Sequence, residues 1–158
     1  MPVREFQTLA ELAGCVGTEV AVSDWEVVTQ ERIDLFAQAT GDHQWIHVDP
    51  ARAASGPFGS TIAHGFLTLS LLPMFMGRTI AVRDAQMSVN YGLNRVRFTA
   101  PVPVGSEVRV RLTLLGCDAM PDGGTQVTWQ ATFERKGAER PVCVAEQISR
   151  RYPQRAPA

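Results

Sequence analysis

Apolar and polar positions follow two different rhythms along this 158-residue chain, helical in the first half and strand-like in the second. Ile33, Phe36, Ala37 and Thr40 recur at the three-and-four spacing of one helix face, and Thr29 ahead of them offers a capping oxygen. Gly41 ends that run where a left-handed residue is usually required. Asp49-Pro50 restarts a short helix, with Asp49 as N-cap and Pro50 in the first turn. Residues 18–28, rich in valine and carrying Trp25, read as a first strand, residues 42–48 as an irregular polar and aromatic stretch, and residues 55–60 as a loop. Residues 64–76 are apolar almost all round, so they predict a helix in the middle of the molecule. Then the period drops to two. Val108, Val110, Leu112 and Leu114 alternate with polar residues, as do Val127, Trp129, Ala131 and Phe133, and finally Val142, Val144 and Ile148. Residues 116–124, with Pro121-Asp122-Gly123-Gly124, supply a turn between two of these strands. One apolar helix followed by long antiparallel strands predicts an α+β architecture, a sheet curled around that helix.

Composition narrows the picture. With 45% apolar and 20% charged residues and no linker or repeat, the chain reads as one domain over residues 1–152 with a loosely ordered tail at 153–158. A net charge of -1 supplies no field for nucleic acid or an anionic membrane. Lys136 is the sole lysine, a bias towards arginine that reads as codon composition before it reads as function. Cys15, Cys117 and Cys143 are odd in number and widely spaced, so neither a disulfide framework nor a zinc knuckle is expected. No apolar signal core follows Met1-Pro2-Val3, and the longest apolar stretch, about 11 residues, is too short to span a bilayer. A soluble cytoplasmic protein is the expectation.

Candidate chemistry concentrates between residues 36 and 49. Asp42 and His47 lie five residues apart across a sharp turn, where a carboxylate and an imidazole can converge on one water. Taken alone, the same residues also read as a turn-former after Gly41 and an ordinary half-buried histidine. His43 and His47 have the spacing of a zinc-binding helix, but the glutamate of His-Glu-x-x-His is missing and no third ligand can be placed, so no metal is expected. Nucleophile-elbow, dinucleotide and phosphate-loop sequences are absent.

The run Phe36-Ala37-Gln38-Ala39-Thr40-Gly41-Asp42-His43-Gln44-Trp45-Ile46-His47 resembles the hydratase motif of the MaoC-like family. Its Gln-Trp-Ile-His text is similar to a NodN-like branch of that family. Ala63-His64-Gly65-Phe66-Leu67 resembles the segment that opens the family's central helix. Asn94-Arg95-Val96-Arg97-Phe98 with Pro101-Val102-Pro103-Val104-Gly105 resembles its characteristic strand and turn. The resemblance implies a single hot-dog domain and an (R)-specific enoyl-CoA hydratase, with Asp42 and His47 as the catalytic pair. Which of the two mainly acts as base stays open. It further implies that the Gly65 N–H, at a helix start, receives the thioester oxygen. His64 would support it by capping the helix or orienting the loop. Arg95 and Arg97, on a strand's polar face, either meet the phosphates of CoA or are simply solvated. The thioester, on CoA or acyl-carrier protein, would be substrate, with no cofactor, and an exposed sheet edge predicts a homodimer. Two rival readings are a hot-dog thioesterase and a non-catalytic acyl-binding subunit.

Overall fold

The computed structural model describes residues 3–153. In chain order the elements are β1 (Arg4–Phe6), α1 (Leu9–Ala13), β2 (Glu19–Val22), β3 (Glu26–Val27), α2 (Gln30–Thr40), α3 (Trp45–Val48) and α4 (Pro50–Ala54). They continue with α5 (Gly65–Ser70), α6 (Leu72–Thr79), β4 (Ile80–Val82), β5 (Ala85–Phe98), β6 (Glu107–Ala119), β7 (Thr125–Arg135) and β8 (Cys143–Pro153).

The main sheet has six strands, all antiparallel, in the order β2-β6-β7-β8-β5, with β3 also pairing β6. Its inner face is set by alternation. Val108, Val110, Leu112 and Leu114 on β6 are fully buried, as are Val127, Trp129, Ala131 and Phe133 on β7. Helices α5 and α6 press their own buried face, Leu67, Leu71, Leu72 and Phe75, into that surface, and Phe75 meets the edge of the Phe133 ring. A large side chain moved wholly out of water contributes about 1.5–3 kcal/mol. This helix-to-sheet seam is therefore what holds the layers together, and the arrangement is the hot-dog fold.

The central helix departs from its expected form in one respect. It is two segments meeting at Leu71, because Pro73 has no N–H to continue the ladder. It is also not buried all round, since Phe66 is 68% exposed. The single strand expected over 18–28 is split into β2 and β3 at Ser23, whose N–H and hydroxyl both bond the backbone of Val110. The turn expected over 116–124 is shorter: β6 runs to Ala119, and the reversal occupies Met120 to Gly124 with Gly123 at φ 84°. Elements with no counterpart in the sequence reading are α1, the first part of β5, and a two-stranded parallel pair of β1 with β4. Pro153 closes β8 opposite Ala85 instead of starting a tail. The rest of the expected tail, 154–158, lies outside the described residues.

Candidate active site

The site is built where α2 ends. Thr29 caps the start of that helix by accepting from the Arg32 N–H, and Gly41 ends it at φ 77°. A left-handed residue there turns the chain sharply and places Asp42 just beyond the helix. Residues 42–48, expected to be irregular, include the short helix α3, which carries His47 inward to 6% exposure. Two neighbours fix α3. The Gln30 amide donates to the His47 carbonyl at 2.8 Å, and the Ile62 N–H donates to Ile46 at 3.0 Å. Asp49 then caps α4 through the Arg52 N–H, with Pro50 in its first turn, as the sequence predicts.

The ligand-type atoms of Asp42, His47 and His64 all lie within 4.8 Å of one another. His47 Nδ1 sits 2.6 Å from the Ile62 carbonyl oxygen. A carbonyl only accepts, so Nδ1 carries the proton and Nε2 of the neutral ring is left as a bare lone pair. Burial is the main reason that the His47 pKa is lowered from 6.5. The hydrogen bond to Ile62 opposes that, His64 adds to it, and the Asp42 charge opposes it. Asp42 keeps its side chain 54% exposed, open to solvent at the rim.

His64 stands at the start of α5, buried, with its ring stacked on His47 at 3.8 Å and 25°. It makes no side-chain cap. Instead its Nε2 is 3.0 Å from the Asp42 backbone oxygen and 3.9 Å from the carboxylate. Of the two supporting roles expected for it, orienting the loop is the one its contacts serve. The three residues form a donor set that could in principle hold a metal. However, His47 Nδ1 and His64 Nε2 are each engaged by a backbone carbonyl, which leaves one nitrogen of each ring as a lone pair. His43 is exposed and stands outside the cluster.

A cavity of about 380 Å³ opens against this cluster, with His47, Gly65 and Thr68 on one side and Phe98 and Val102 on the other. As first residue of α5, Gly65 has an N–H with no partner inside its helix. A β-carbon at Gly65 would fall 2.8 Å from Cγ of Phe98, so glycine lets the aromatic ring close on the helix start. Thr68 is buried, and its hydroxyl has no hydrogen-bond partner. Thr68 and Gln30 were missed in the sequence. Thr68 could have been found as the polar residue one helical turn after Gly65; Gln30 has no local signature.

Asp42, His47, His64 and Gly65 are thus brought together, and Arg95 and Arg97 are not. On β5 these arginines alternate with Val96 and Phe98, whose side of the strand faces the helices. Arg95 and Arg97 therefore project from the opposite face of the sheet, exposed, and neither lines the cavity.

A hot-dog fold with an acid and an imidazole beside the start of its central helix defines the class. Solved structures share the fold at low identity. A monoamine oxidase regulatory protein from Archaeoglobus superposes with a TM-score of 0.75 at 22% identity, covering 98% of this chain and all (100%) of its own. The unliganded R-hydratase PhaJ1 from Pseudomonas aeruginosa gives 0.71 at 23% identity, covering 96% and 94%. The chain belongs to the MaoC-like family, whose MaoC like domain matches residues 11–134. It is 53% identical to 3-hydroxyacyl-thioester dehydratase Z of Mycobacterium tuberculosis over 94% of this chain and 98% of that one. It is 46% identical to Nodulation protein N of Rhizobium leguminosarum bv. viciae over 90% and 89%.

Proposed function

We propose that the protein is a hydratase and dehydratase of 3-hydroxyacyl thioesters, adding water to a 2-enoyl thioester to give the (R)-3-hydroxyacyl product. The observation that carries this reading is that a buried His47, with Nδ1 held by the Ile62 carbonyl and Nε2 left bare, lines the same cavity as Gly65 at the start of α5. A lone pair and an N–H donor on one cavity suit an acid–base addition across a polarised double bond. The dehydratase and R-hydratase named among its relatives and structural neighbours support the same class.

In this reading a water lies between Asp42 and His47. His47 Nε2 takes a proton from it as the oxygen bonds C3, and the π electrons move to the thioester oxygen, where Gly65 N–H receives the charge. The imidazolium, stabilised by the Asp42 carboxylate, returns that proton to C2 as the enolate collapses. One imidazole on one face of the substrate therefore delivers both parts of water to the same side. The thioester carrier, CoA or acyl-carrier protein, is substrate, and the steps call for no other group. No helix of the described residues is long and apolar enough to cross a membrane. The place of action in this reading is the cytoplasm. The assembly in this reading is a homodimer.

The deciding experiment follows loss of enoyl-thioester absorbance with purified protein and a four-carbon 2-enoyl-CoA, while free thiol is measured in the same sample. Absorbance loss with no thiol release and an (R)-3-hydroxyacyl product is the expected result. Stoichiometric thiol would establish a thioesterase, and no reaction with either carrier would establish a binding subunit.

A further inference from the structure

The core-facing side of β8 changes chemistry halfway along the strand. Cys143 and Ala145 are apolar, but the next positions on the same face are Gln147, Ser149 and Arg151, and the first two are only 6% and 2% exposed. Across the strand register Asn90 stands opposite Ser149, and Ser88 opposite Arg151. This is an inner sheet face, where apolar side chains are the rule.

Three cavities follow one another along the seam between α5–α6 and the β5–β8 pair. The first touches His47, Gly65 and Thr68 on the helix side and Phe98 and Val142 on the strands. The second, about 290 Å³, is bounded by Leu69 and Leu72 and by Tyr91, Leu93 and Gln147. The third, about 470 Å³, lies between Met76 and Ile80 on one side and Ser88, Ser149 and Arg151 on the other. Pro73, Asn90 and Gln147 line both the second and the third. The first and second share no lining residue but meet in sequence at Thr68 and Leu69. The lining advances along the helices while it runs back along β5 and forward along β8, the order that a channel along the seam would have.

The far end is short of partners. Ser149 Oγ, Gln147 Oε1 and Arg151 Nε are buried and make no hydrogen bond. Arg83 at the margin is already paired with Glu5, and no aspartate or glutamate lines the third cavity. Burial lowers the pKa of Arg151, as it does for a guanidinium lacking an anion. Gln147 Oε1 only accepts, but the Ser149 hydroxyl, the Arg151 guanidinium and the Asn90 amide, whose oxygen already accepts from Gln147, are donors. Donors around a cation with no acid in the cavity are the chemistry of a carboxylate site.

We propose that this seam is the acyl channel and that its far end binds a carboxylate on the distal end of a long acyl chain, through Arg151, Ser149 and Asn90. The preferred substrates are then 2-enoyl thioesters that end in a second carboxyl group. The inference rests on the hydratase reading above. Along β8, Ser149 lies seven residues beyond Val142, roughly 23 Å at the usual strand rise. An extended chain of about sixteen carbons, at about 1.3 Å each from ordinary C–C bonds, spans most of that distance, and the arginine side chain covers the rest.

The test compares kcat/KM for two sixteen-carbon 2-enoyl-CoAs below their micelle concentrations, one ending in methyl and one in carboxylate, with the four-carbon substrate as reference. The expected result is at least a tenfold preference for the carboxylate-ended chain. Arg151→Met should abolish that preference while leaving the four-carbon rate unchanged, and Ser149→Ala should reduce it. Equal rates for the two long chains, or a preference that survives Arg151→Met, overturn the proposal. If Arg151→Met does not fold, the wild-type comparison and Ser149→Ala still decide. Failure on the four-carbon substrate itself sinks the hydratase reading, whereas four-carbon turnover without carboxylate preference sinks only this one.

Discussion

At the scale of single residues, the site turns on one hydrogen bond. The Ile62 carbonyl holds the His47 proton on Nδ1, and burial lowers the pKa of the ring, which leaves Nε2 as the lone pair that the proposed mechanism uses as its base. Asp42→Asn and His47→Gln should each lower turnover about 10²–10⁴-fold, the range for losing one acid–base group. The double variant should be little worse than the worse single one, because groups that act as a unit are strongly non-additive. His43→Gln is the control and should hydrate normally, since His43 is exposed and outside the cluster. Near-normal turnover in a folded His47→Gln protein rules out this assignment. The lowered pKa also bears on stability. Below pH 6.5 the unfolded chain protonates His47 and the folded one resists, so stability is full above that value and is lost as pH falls through the depressed folded pKa. Urea midpoints at pH 7.5 and pH 5.5 should therefore lie closer together for His47→Gln than for wild type. An unchanged gap between them would show that His47 is not the group responsible.

At the scale of elements, what could be read from the sequence was what repeats locally. The Thr29 cap, the Gly41 stop, the Asp49-Pro50 start and the strands β6, β7 and β8 all have a period or a capping residue to betray them. The closeness of Asp42 and His47 was legible in the six residues of chain that hold them. Their pairing as a site came from the likeness to the MaoC-like motif, since the spacing alone also reads as a turn-former and a half-buried histidine. The first part of β5 was not legible. Three register shifts against β8, at Ala85/Met87, Asn90/Gly92 and Leu93/Arg95, break the two-residue alternation that would announce a strand. Gln30 was missed because its contact with His47 spans 17 residues, and only tertiary packing brings the two together. Two glycines make these readings testable. Gly41→Ala forces a side chain into a left-handed turn at φ 77°, at a cost of roughly 1–2 kcal/mol. For a chain of this size that is a fall in Tm of roughly 2–8 °C, and calorimetry showing no fall would mean that the turn relaxes freely. Gly65→Ala places a methyl group against the Phe98 ring. It should raise KM or lower kcat, by displacing either the ring or the N–H, with far less effect on Tm than on turnover. A Gly65→Ala enzyme with wild-type kinetics would remove Gly65 from the site.

At the scale of the whole molecule, β5 is the feature that a lone chain leaves unexplained. It is fourteen residues long and forms one end of the sheet, paired among the described residues to β8 alone. Met87, Val89, Tyr91 and Leu93 are between 45% and 56% exposed along it. A long, unpaired edge with apolar side chains is a template for another strand, and natural proteins seldom leave one bare. Phe66, 68% exposed on α5, lies against Phe98 at the end of the same strand and extends the apolar surface. A second copy pairing β5 with β5 about a two-fold axis would satisfy the backbone groups of both edges at once, since a two-fold contact uses the same patch on each partner. The proposed homodimer would cover this edge. Light scattering at micromolar concentration should give twice the monomer mass. Met87→Lys combined with Val89→Lys puts two charges on the edge without touching any residue that lines the three cavities. That variant should run as a monomer with an unchanged far-ultraviolet circular dichroism spectrum. A wild-type monomer, or a dimer that persists in the double-lysine variant, would show that β5 is not the contact.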